Sequence, residues 1–329
     1  MQIIDLSFAD LFIGGTPSSC WMKASTDSLI RNRIPQELFE ELAAFREALL
    51  ATHKDHQGHP FYFKWGRETT RSFRVTPIET AHNKPLFVCR SHLAKAKSLQ
   101  ELNWPPQICD YLFRQPVKEG LFLFMGSMGA GKTTSASSFV MQHVSKFGGV
   151  AMTIEYPKEM DIEGEWGNGS IYQTEIPSEA MLGETLRGML GSSANILYPS
   201  EIKSSDSANE VVNLSLTGHP IVSTLHAPNL ADGLLRFSRL LNGQNDGLAG
   251  ALKAAFYIQL IPNDRPGVKP DDAAPALVRD LKPFKTIIRP LLILPETKDA
   301  ICSNIRSGNF GFLNNEIDRQ GRLFMGGRL

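Results

Sequence analysis

Apolar and polar positions follow one pattern up to about residue 95 and another from residue 120 onwards. In the first part, one stretch at 35–52 carries apolar side chains at helical spacing. Three runs rich in aromatic and β-branched residues, at 61–65, 72–77 and 86–90, are typical of consecutive antiparallel strands. These elements predict an α+β first domain over residues 1–95.

Residues 92–106 form a polar stretch that ends in Trp104, Pro105 and Pro106, a composition typical of a connection between domains. We therefore predict a linker over 96–118 and a second domain over 119–329. In that domain apolar runs alternate with helical segments, which predicts a mostly parallel sheet covered on both faces. The runs lie at 121–125, 150–154, 196–198 and 221–225. The pattern then favours helix from Ala227 to Ile261, before a proline- and aspartate-rich loop at 262–275.

Composition narrows the class of protein. The 329 residues suit two domains, and 42% hydrophobic with 21% charged residues is typical of a folded globular chain. Lys+Arg and Asp+Glu number 34 each, so the charge balance gives no electrostatic reason to expect direct nucleic-acid binding. The first residues lack the features of a signal peptide, and we expect a cytoplasmic location. The four cysteines lie far apart, without the spacing of a zinc site or disulfide framework.

One motif carries specific chemistry. Residues 126–133, Gly-Ser-Met-Gly-Ala-Gly-Lys-Thr, match G-x-x-x-x-G-K-[ST] between an apolar run and a helical segment, which is the context that a phosphate-binding loop requires. Its glycines let backbone N–H groups face phosphate oxygens at a helix N-terminus. We expect Lys132 to bridge the β- and γ-phosphates of ATP and the Thr133 hydroxyl to bind Mg²⁺. The predicted nucleotide contacts are Gly126, Ser127, Met128, Gly129, Ala130, Gly131, Lys132, Thr133 and Thr134.

Each of the three later apolar runs has a polar, chemically reactive residue at its carboxyl end. An open parallel sheet binds its ligands at the carboxyl ends of its strands. Glu155 follows the second run, Glu201 follows the third and His226 ends the fourth. Taken singly, such a glutamate is more often a solvated turn residue, and such a histidine is more often structural.

Together and in this order, these segments resemble the secretion ATPase superfamily, which includes type II secretion, type IV pilus and conjugation motors. That family has an acidic box T-I-E-D-P, a Walker B strand ending in G-E-I-R-D, a T-G-H turn and a histidine box S-T-L-H. The corresponding residues here are 153–157, 200–204, 217–219 and 223–226, and later segments at 259–260 and 305–309 resemble the family as well. The likeness is strongest over residues 95–310.

The resemblance implies a fold and a set of roles. The fold would be α/β, with an N-terminal PAS-like α+β domain followed by a RecA-like P-loop NTPase domain with a helical C-terminal extension. Glu201 would be the catalytic carboxylate and would contact Mg²⁺ directly or through water, while Glu155 would assist in positioning water or Mg²⁺. His226 would sense the γ-phosphate and His219 would support the same region, although a histidine after a glycine turn can equally serve structure alone.

In the same family the first domain supplies arginines to a neighbouring subunit's nucleotide. By resemblance to its R-F-R-V strand and the strand after it, Arg74 and Arg90 are the candidates, with Arg71 next. Exposed strand arginines without a partner are the alternative interpretation. The resemblance also implies a homo-hexamer at the inner face of the bacterial inner membrane, acting with a membrane platform or with secretion-system proteins.

The chain also departs from the family pattern. Lys132, Thr133, Glu155, Glu201 and His226 are retained, which favours an active enzyme. The absence of a four-cysteine zinc insertion and the short first domain favour the compact branch of retraction-type, conjugation and intracellular-delivery ATPases. The departures are Tyr156 for the second acid of the acidic box, Asn195 for a frequent aspartate, Gly191 for a frequent arginine, Ser200 for the glycine before Glu201, Lys203 and Ser204 for the R-D pair, and Ser72 for the first arginine of R-F-R-V.

Three functions stay open from the sequence. The leading one is an ATP-driven ring motor. A catalytically weakened nucleotide-binding scaffold or regulatory subunit is the second, favoured by Tyr156, Ser200 and Lys203 and opposed by Glu201. A small-molecule P-loop kinase is the third, but it needs an arginine-rich lid that the sequence does not show and leaves the histidine box unexplained.

Overall fold

The computed structural model describes residues 2–6, 8–23, 29–56, 58–66, 71–81, 85–91, 96–156, 158–262 and 284–325. The chain divides into two units, one containing Met1–Ala94 and the other containing Lys95–Ile261 and Lys285–Leu329. Among the sequence-predicted features, Pro157 of the acidic box and the loop beyond Pro262 lie outside the described residues.

The first unit is an antiparallel sheet with one long helix. The sheet order is β3-β2-β1-β6-β5-β4. The helix buries Leu42, Phe45 and Leu49 in a core shared with Phe73 and Phe87. The strands are β1 Asp10–Ile13, β2 Trp21–Lys23, β3 Asn32–Arg33, β4 Phe61–Trp65, β5 Arg71–Ile78 and β6 Leu86–Ser91, and the helix is α1 Phe39–Asp55. The predicted helix and the three predicted strands are confirmed, whereas β1 to β3 are too short to carry a clear alternation.

The second unit is an eight-stranded sheet in the order β14-β13-β7-β12-β11-β8-β10-β9. The strands from β13 to β10 pair in parallel, and β9 runs antiparallel to β10. The strands are β7 Gly120–Gly126, β8 Gly149–Glu155, β9 Gly164–Trp166, β10 Gly169–Glu175, β11 Ile196–Pro199, β12 Pro220–His226, β13 Leu252–Pro262 and β14 Phe284–Leu292. The helices are α2 Pro106–Leu112, α3 Lys132–Phe147, α4 Leu182–Gly188, α5 Ser205–Leu216, α6 Leu230–Leu240, α7 Asn245–Ala251, α8 Lys298–Arg306 and α9 Leu313–Met325.

Helices cover both faces of this sheet, as predicted. Successive residues of a strand point to opposite faces, and β7 shows this directly. Leu121 and Leu123 lie in one buried cluster with side chains of α5 to α8. Phe122 and Phe124 lie in a second cluster with side chains of α2 and α3. The central strands are therefore buried on both faces, which explains their continuous apolar sequence.

Two sequence expectations for this unit differ from the structure. The run up to Ile261 was expected to be helical, but from Leu252 it forms β13, which pairs with β7. A strand buried on both faces shows no alternation of apolar and polar residues, and the alanines of β13 are also compatible with a helix. Residues 96–118 were expected to be a linker, yet Leu99, Trp104 and Ile108 are buried in the core beside α3. The linker was predicted because most residues around these three are polar.

Candidate nucleotide site

The phosphate-loop motif lies between β7 and α3. The strand ends at Gly126 and the helix begins at Lys132. Gly129 and Gly131 have φ of +74° and +86°, which only glycine adopts readily. A Cβ on Gly126 would lie 2.6 Å from the carbonyl oxygen of Ile258 on β13. The fold therefore requires glycine at these positions of the motif.

Lys132 and Thr133 open the helix after this loop and are half-buried. The Lys132 ammonium donates to the carbonyl oxygen of Ser127 at 3.0 Å, so it lies over the loop. Burial lowers the pKa of Lys132, and the charges of Glu201 and Glu159 oppose that effect. Ser127, Met128 and Gly129 are exposed at the turn of the loop, while Ala130 is buried beneath it. This arrangement offers backbone donors and one ammonium to an anion.

Glu201 lies just beyond the carboxyl end of β11. Its backbone forms an isolated bridge with Thr224 of β12, which fixes the segment against the strand next to β7. Its side chain is 31% exposed, and no described residue donates a hydrogen bond to its carboxylate. The Lys203 ammonium lies 3.8 Å from Oε2. Glu201 is therefore a carboxylate that is close enough to act on Lys132 and is still accessible.

Glu155, at the end of β8, has a different environment. It is only 2% exposed. The Thr153 hydroxyl and the Gln173 amide each donate to Oε1 at 2.6 Å, and the backbone N–H of Glu159 donates to Oε2 at 3.4 Å. Burial raises the pKa of Glu155, although these hydrogen bonds oppose the shift. In this conformation the carboxylate holds β8, β10 and the following turn together. Two of these bonds go to Oε1 and only the long bond from Glu159 goes to Oε2, so the role of Glu155 in positioning water or Mg²⁺ stays a prediction.

The two candidate histidines lie at opposite ends of β12. His226 is exposed and is the strand partner of Gly126, so it lies beside the phosphate loop. His219 precedes the strand, and its carbonyl oxygen accepts from the N–H of Gly120, where β7 begins. The strand separates the two histidines by about 23 Å, at about 3.3 Å per residue. The expectation that His219 supports the γ-phosphate region therefore needs correction, because a T-G-H turn precedes a parallel strand and lies at the wrong end of it.

The three candidate arginines belong to the first unit and differ in their contacts. Arg71 donates to the carbonyl oxygens of Ile4 and Leu6, and its guanidinium lies 4.5 Å from the ring centre of Phe8. Arg90 forms a two-bond ion pair with Asp10, through Nε at 2.8 Å and a terminal nitrogen at 3.2 Å.

Arg74 differs from both. Its Nε is buried and finds no hydrogen-bond partner among the described residues. It faces Arg90 on the neighbouring strand and Tyr62 on the other side. No hydrogen bond or ion pair is found for the Arg74 side chain among the described residues, whereas Arg71 and Arg90 are held by partners in their own unit.

Sequence reasoning missed two charged residues near Glu201. Lys203 lies 3.8 Å from Glu201 and also 3.8 Å from Glu179, which begins a 3₁₀ turn, Glu179–Met181, before α4. Lys203 was noted only as a departure from a family arginine. Glu179 is distant in sequence, and no local pattern connects it to this site.

A family model for type II/IV secretion system proteins matches residues 51–272. The chain belongs to the type II/IV secretion system protein family. The match includes the phosphate loop, Glu155, Glu201 and His226, so the predicted resemblance is confirmed.

Comparisons with individual proteins agree with this family. The type IV pilus assembly ATPase PilB of Thermus thermophilus is 26% identical over 180 residues, which cover 53% of this chain and 19% of PilB. The chain thus matches a minor part of that relative's length. The crystal structure of the ATPase DotB from Legionella pneumophila superposes with a TM-score of 0.72 at 17% identity, covering 96% of this chain and 85% of DotB. The pilus retraction motor PilT with bound ADP gives 0.69 at 18% identity, covering 96% and 87%.

These likenesses confirm the mixed α/β fold, with a β-rich N-terminal domain and a P-loop ATPase domain. The family is that of type II/IV secretion system proteins, and the fold is shared with DotB and PilT. No helix within the described ranges is long and apolar enough to cross a membrane.

Proposed function

We propose that this chain is a Mg²⁺-dependent ATPase that drives a type IV secretion or conjugation, type II secretion or type IV pilus machine. The observation that carries this proposal is the pair formed by the phosphate loop and Glu201. Lys132 covers the loop, and the accessible Glu201 carboxylate is among the charges that act on it. A loop alone would serve any P-loop protein, whereas the carboxylate adds the group that hydrolysis requires.

The loop fits ATP. It combines left-handed glycines, exposed backbone at residues 127–129 and an ammonium group, a combination that suits a triphosphate. Thr133, next to Lys132, would contribute its hydroxyl to Mg²⁺, which when bound neutralises charge on the β- and γ-phosphates. Within the described residues no cluster of three His, Cys, Asp or Glu could hold a metal ion. Mg²⁺ in P-loop proteins needs no such cluster, because phosphate and water oxygens provide most of its ligands.

Glu201 would orient and polarise the attacking water, since phosphoryl transfer depends on positioning and electrostatics. His226 lies at the carboxyl end of β12, beside the phosphate loop at the end of β7, where it can sense the terminal phosphate. Glu155 would instead act through structure, by fixing the turn that follows β8.

We further propose a homo-hexamer in which Arg74 reaches the nucleotide of a neighbouring subunit. Arg74 is favoured because no hydrogen bond or ion pair is found for its side chain among the described residues, whereas Arg71 and Arg90 are held by partners in their own unit. The proposed location is the cytoplasmic face of the inner membrane, with membrane-platform or secretion-system proteins as partners and no direct contact with nucleic acid. The names of DotB, PilT and PilB, which call them ATPases or motors, support the proposed motor function.

Two measurements on the purified chain test the proposal. Steady-state hydrolysis of ATP should depend on Mg²⁺ and should disappear in Lys132→Ala, because the ammonium group over the loop is lost. Mass photometry should show a six-subunit species in the presence of nucleotide. Tight ATP binding without turnover, or a species that stays monomeric at every concentration, would contradict the motor.

The second candidate is a nucleotide-binding scaffold of the same kind of machine. The burial of Glu155 favours it, because one of the two candidate carboxylates is engaged within the protein. In this case ATP should bind and stabilise the fold, while hydrolysis should be absent in both the wild type and Glu201→Gln. The presence of turnover decides between the two functions.

A further inference from the structure

Lys203 joins two carboxylates that lie on separate segments. Its ammonium lies 3.8 Å from Oε2 of Glu201 and 3.8 Å from Oε2 of Glu179. Lys203 is exposed, with 40% of its side chain accessible, while the side chains of Glu201 and Glu179 are partly buried at 31% and 28%. Partial burial reduces the screening that makes most surface ion pairs ineffective. One ammonium that lies near two partly buried carboxylates is therefore screened less from them than it would be in a fully exposed pair.

The segment that carries Glu179 is itself fixed. Leu182 and Leu186 of α4 are buried in the core on this face of the sheet. Gly183 approaches Asp206 of α5 so closely that a Cβ would collide with that carboxylate. Arg187, at the end of α4, pairs with Glu210 of the same helix α5 at 3.0 Å. Glu179 is thus held against the segment that follows Glu201, and it provides a stable anchor for Lys203.

The Glu201 carboxylate has few other partners. No described residue donates a hydrogen bond to its carboxylate, in contrast to the three donors around Glu155. A triphosphate in the phosphate loop would repel the Glu201 carboxylate, and only Lys132 and Lys203 oppose that repulsion among the cations identified near it. Lys132 would be occupied by phosphate oxygens, which leaves Lys203 to hold the carboxylate.

We propose that Lys203, anchored by Glu179, is the positioning residue for Glu201 in ATP hydrolysis. This inference rests on the proposed ATPase function. Lys203 neither contacts the nucleotide nor exchanges protons with it. Its ammonium keeps one carboxylate oxygen in place, so that Glu201 can orient the attacking water.

The test is steady-state hydrolysis by full-length Lys203→Met, Lys203→Arg and Glu179→Gln. Lys203→Met should lower kcat about tenfold with an unchanged KM for ATP, because a displaced catalytic group costs rate more than it costs binding. Glu179→Gln should lower kcat in the same direction, and Lys203→Arg should restore most of the rate. Lys253→Met is the matched control, since Lys253 is 37% exposed and pairs with Glu119 before β7 begins, at the far end of the sheet. It should leave kcat unchanged.

The outcomes separate this inference from the function on which it rests. A wild-type chain without Mg²⁺-dependent hydrolysis refutes the proposed function. A wild-type chain that hydrolyses ATP, with Lys203→Met equally fast, refutes the positioning role alone. The positioning role is also refuted if Lys203→Arg does not restore the kcat that Lys203→Met loses. It is refuted as well if Lys203→Met lowers the melting temperature of the protein, because the loss of kcat would then reflect a less stable fold.

Discussion

The buried side chain of His143 should make the stability of the second unit depend on pH. The side chain is 4% exposed on α3, and its ring centre lies 4.9 Å from that of Phe147. Its Nε2 accepts a hydrogen bond from the backbone N–H of Val117 at 2.9 Å. Burial lowers the pKa of His143 from 6.5 to about 4, and a proton on Nε2 would also break the bond to Val117. The folded state therefore holds this ring neutral.

The sign and the size of the pH effect follow from that pKa. The unfolded chain takes up the proton at higher pH than the folded chain, so the contribution of His143 is fully present above pH 6.5 and is lost as the pH falls towards 4. The interval of 2.5 pH units corresponds to about 3 kcal/mol, at about 1.36 kcal/mol per unit. By about pH 5, the free energy of unfolding should already have fallen by about 2 kcal/mol from this group alone.

Urea unfolding at about pH 7 and pH 5, followed by tryptophan fluorescence, measures this effect. His143→Gln keeps an acceptor for Val117 and removes the titration, so its loss of stability between the two pH values should be about 2 kcal/mol smaller than that of the wild type. His226→Gln, at an exposed histidine of the same unit, should lose as much as the wild type. Equal losses in the wild type and His143→Gln would refute the argument.

Three further variants test other parts of the account. Gly126→Ala should destabilise the protein by about 1–3 kcal/mol and weaken ATP binding, because its Cβ would lie 2.6 Å from the Ile258 carbonyl oxygen; unchanged thermal melting would contradict this. Arg74→Ala should lower kcat by about 10³-fold without a loss of stability, as removal of an arginine finger does, whereas Arg71→Ala should chiefly lower the melting temperature. Burial raises the pKa of Glu155, so the contribution of this residue to stability is greatest at low pH and falls as the pH rises through the raised pKa. The wild type should therefore lose stability relative to Glu155→Gln as the pH increases. Urea titrations at several pH values that show no such trend would refute the sign of this effect.

The sequence predicted the phosphate loop because local chemistry determines it. Gly126, Gly129 and Gly131 are required by backbone geometry within a few residues, and the flanking strand and helix have their own patterns. The ends of β11 and β12 were also predictable, since a parallel sheet collects its strand ends at one edge. Glu201 and His226 follow from that rule.

Properties that depend on distant partners were not predictable. The sequence places Glu155 at a strand end but does not reveal that Gln173, on the neighbouring strand β10, engages its carboxylate. The ion pair between Lys203 and Glu179 likewise depends on how α4 packs against α5. Strand β13 was missed because its burial comes from its place beside β7 and not from its own pattern.

The most direct test of the central claim compares Mg²⁺-dependent ATP hydrolysis by the wild type, Glu201→Gln and Glu155→Gln, with ATP binding measured in parallel. The structure leaves Glu201 accessible and engages Glu155 within the protein. We predict that Glu201→Gln binds ATP and loses turnover, while Glu155→Gln retains most of it. Full turnover in Glu201→Gln, with turnover lost in Glu155→Gln, would contradict the assignment of the catalytic carboxylate.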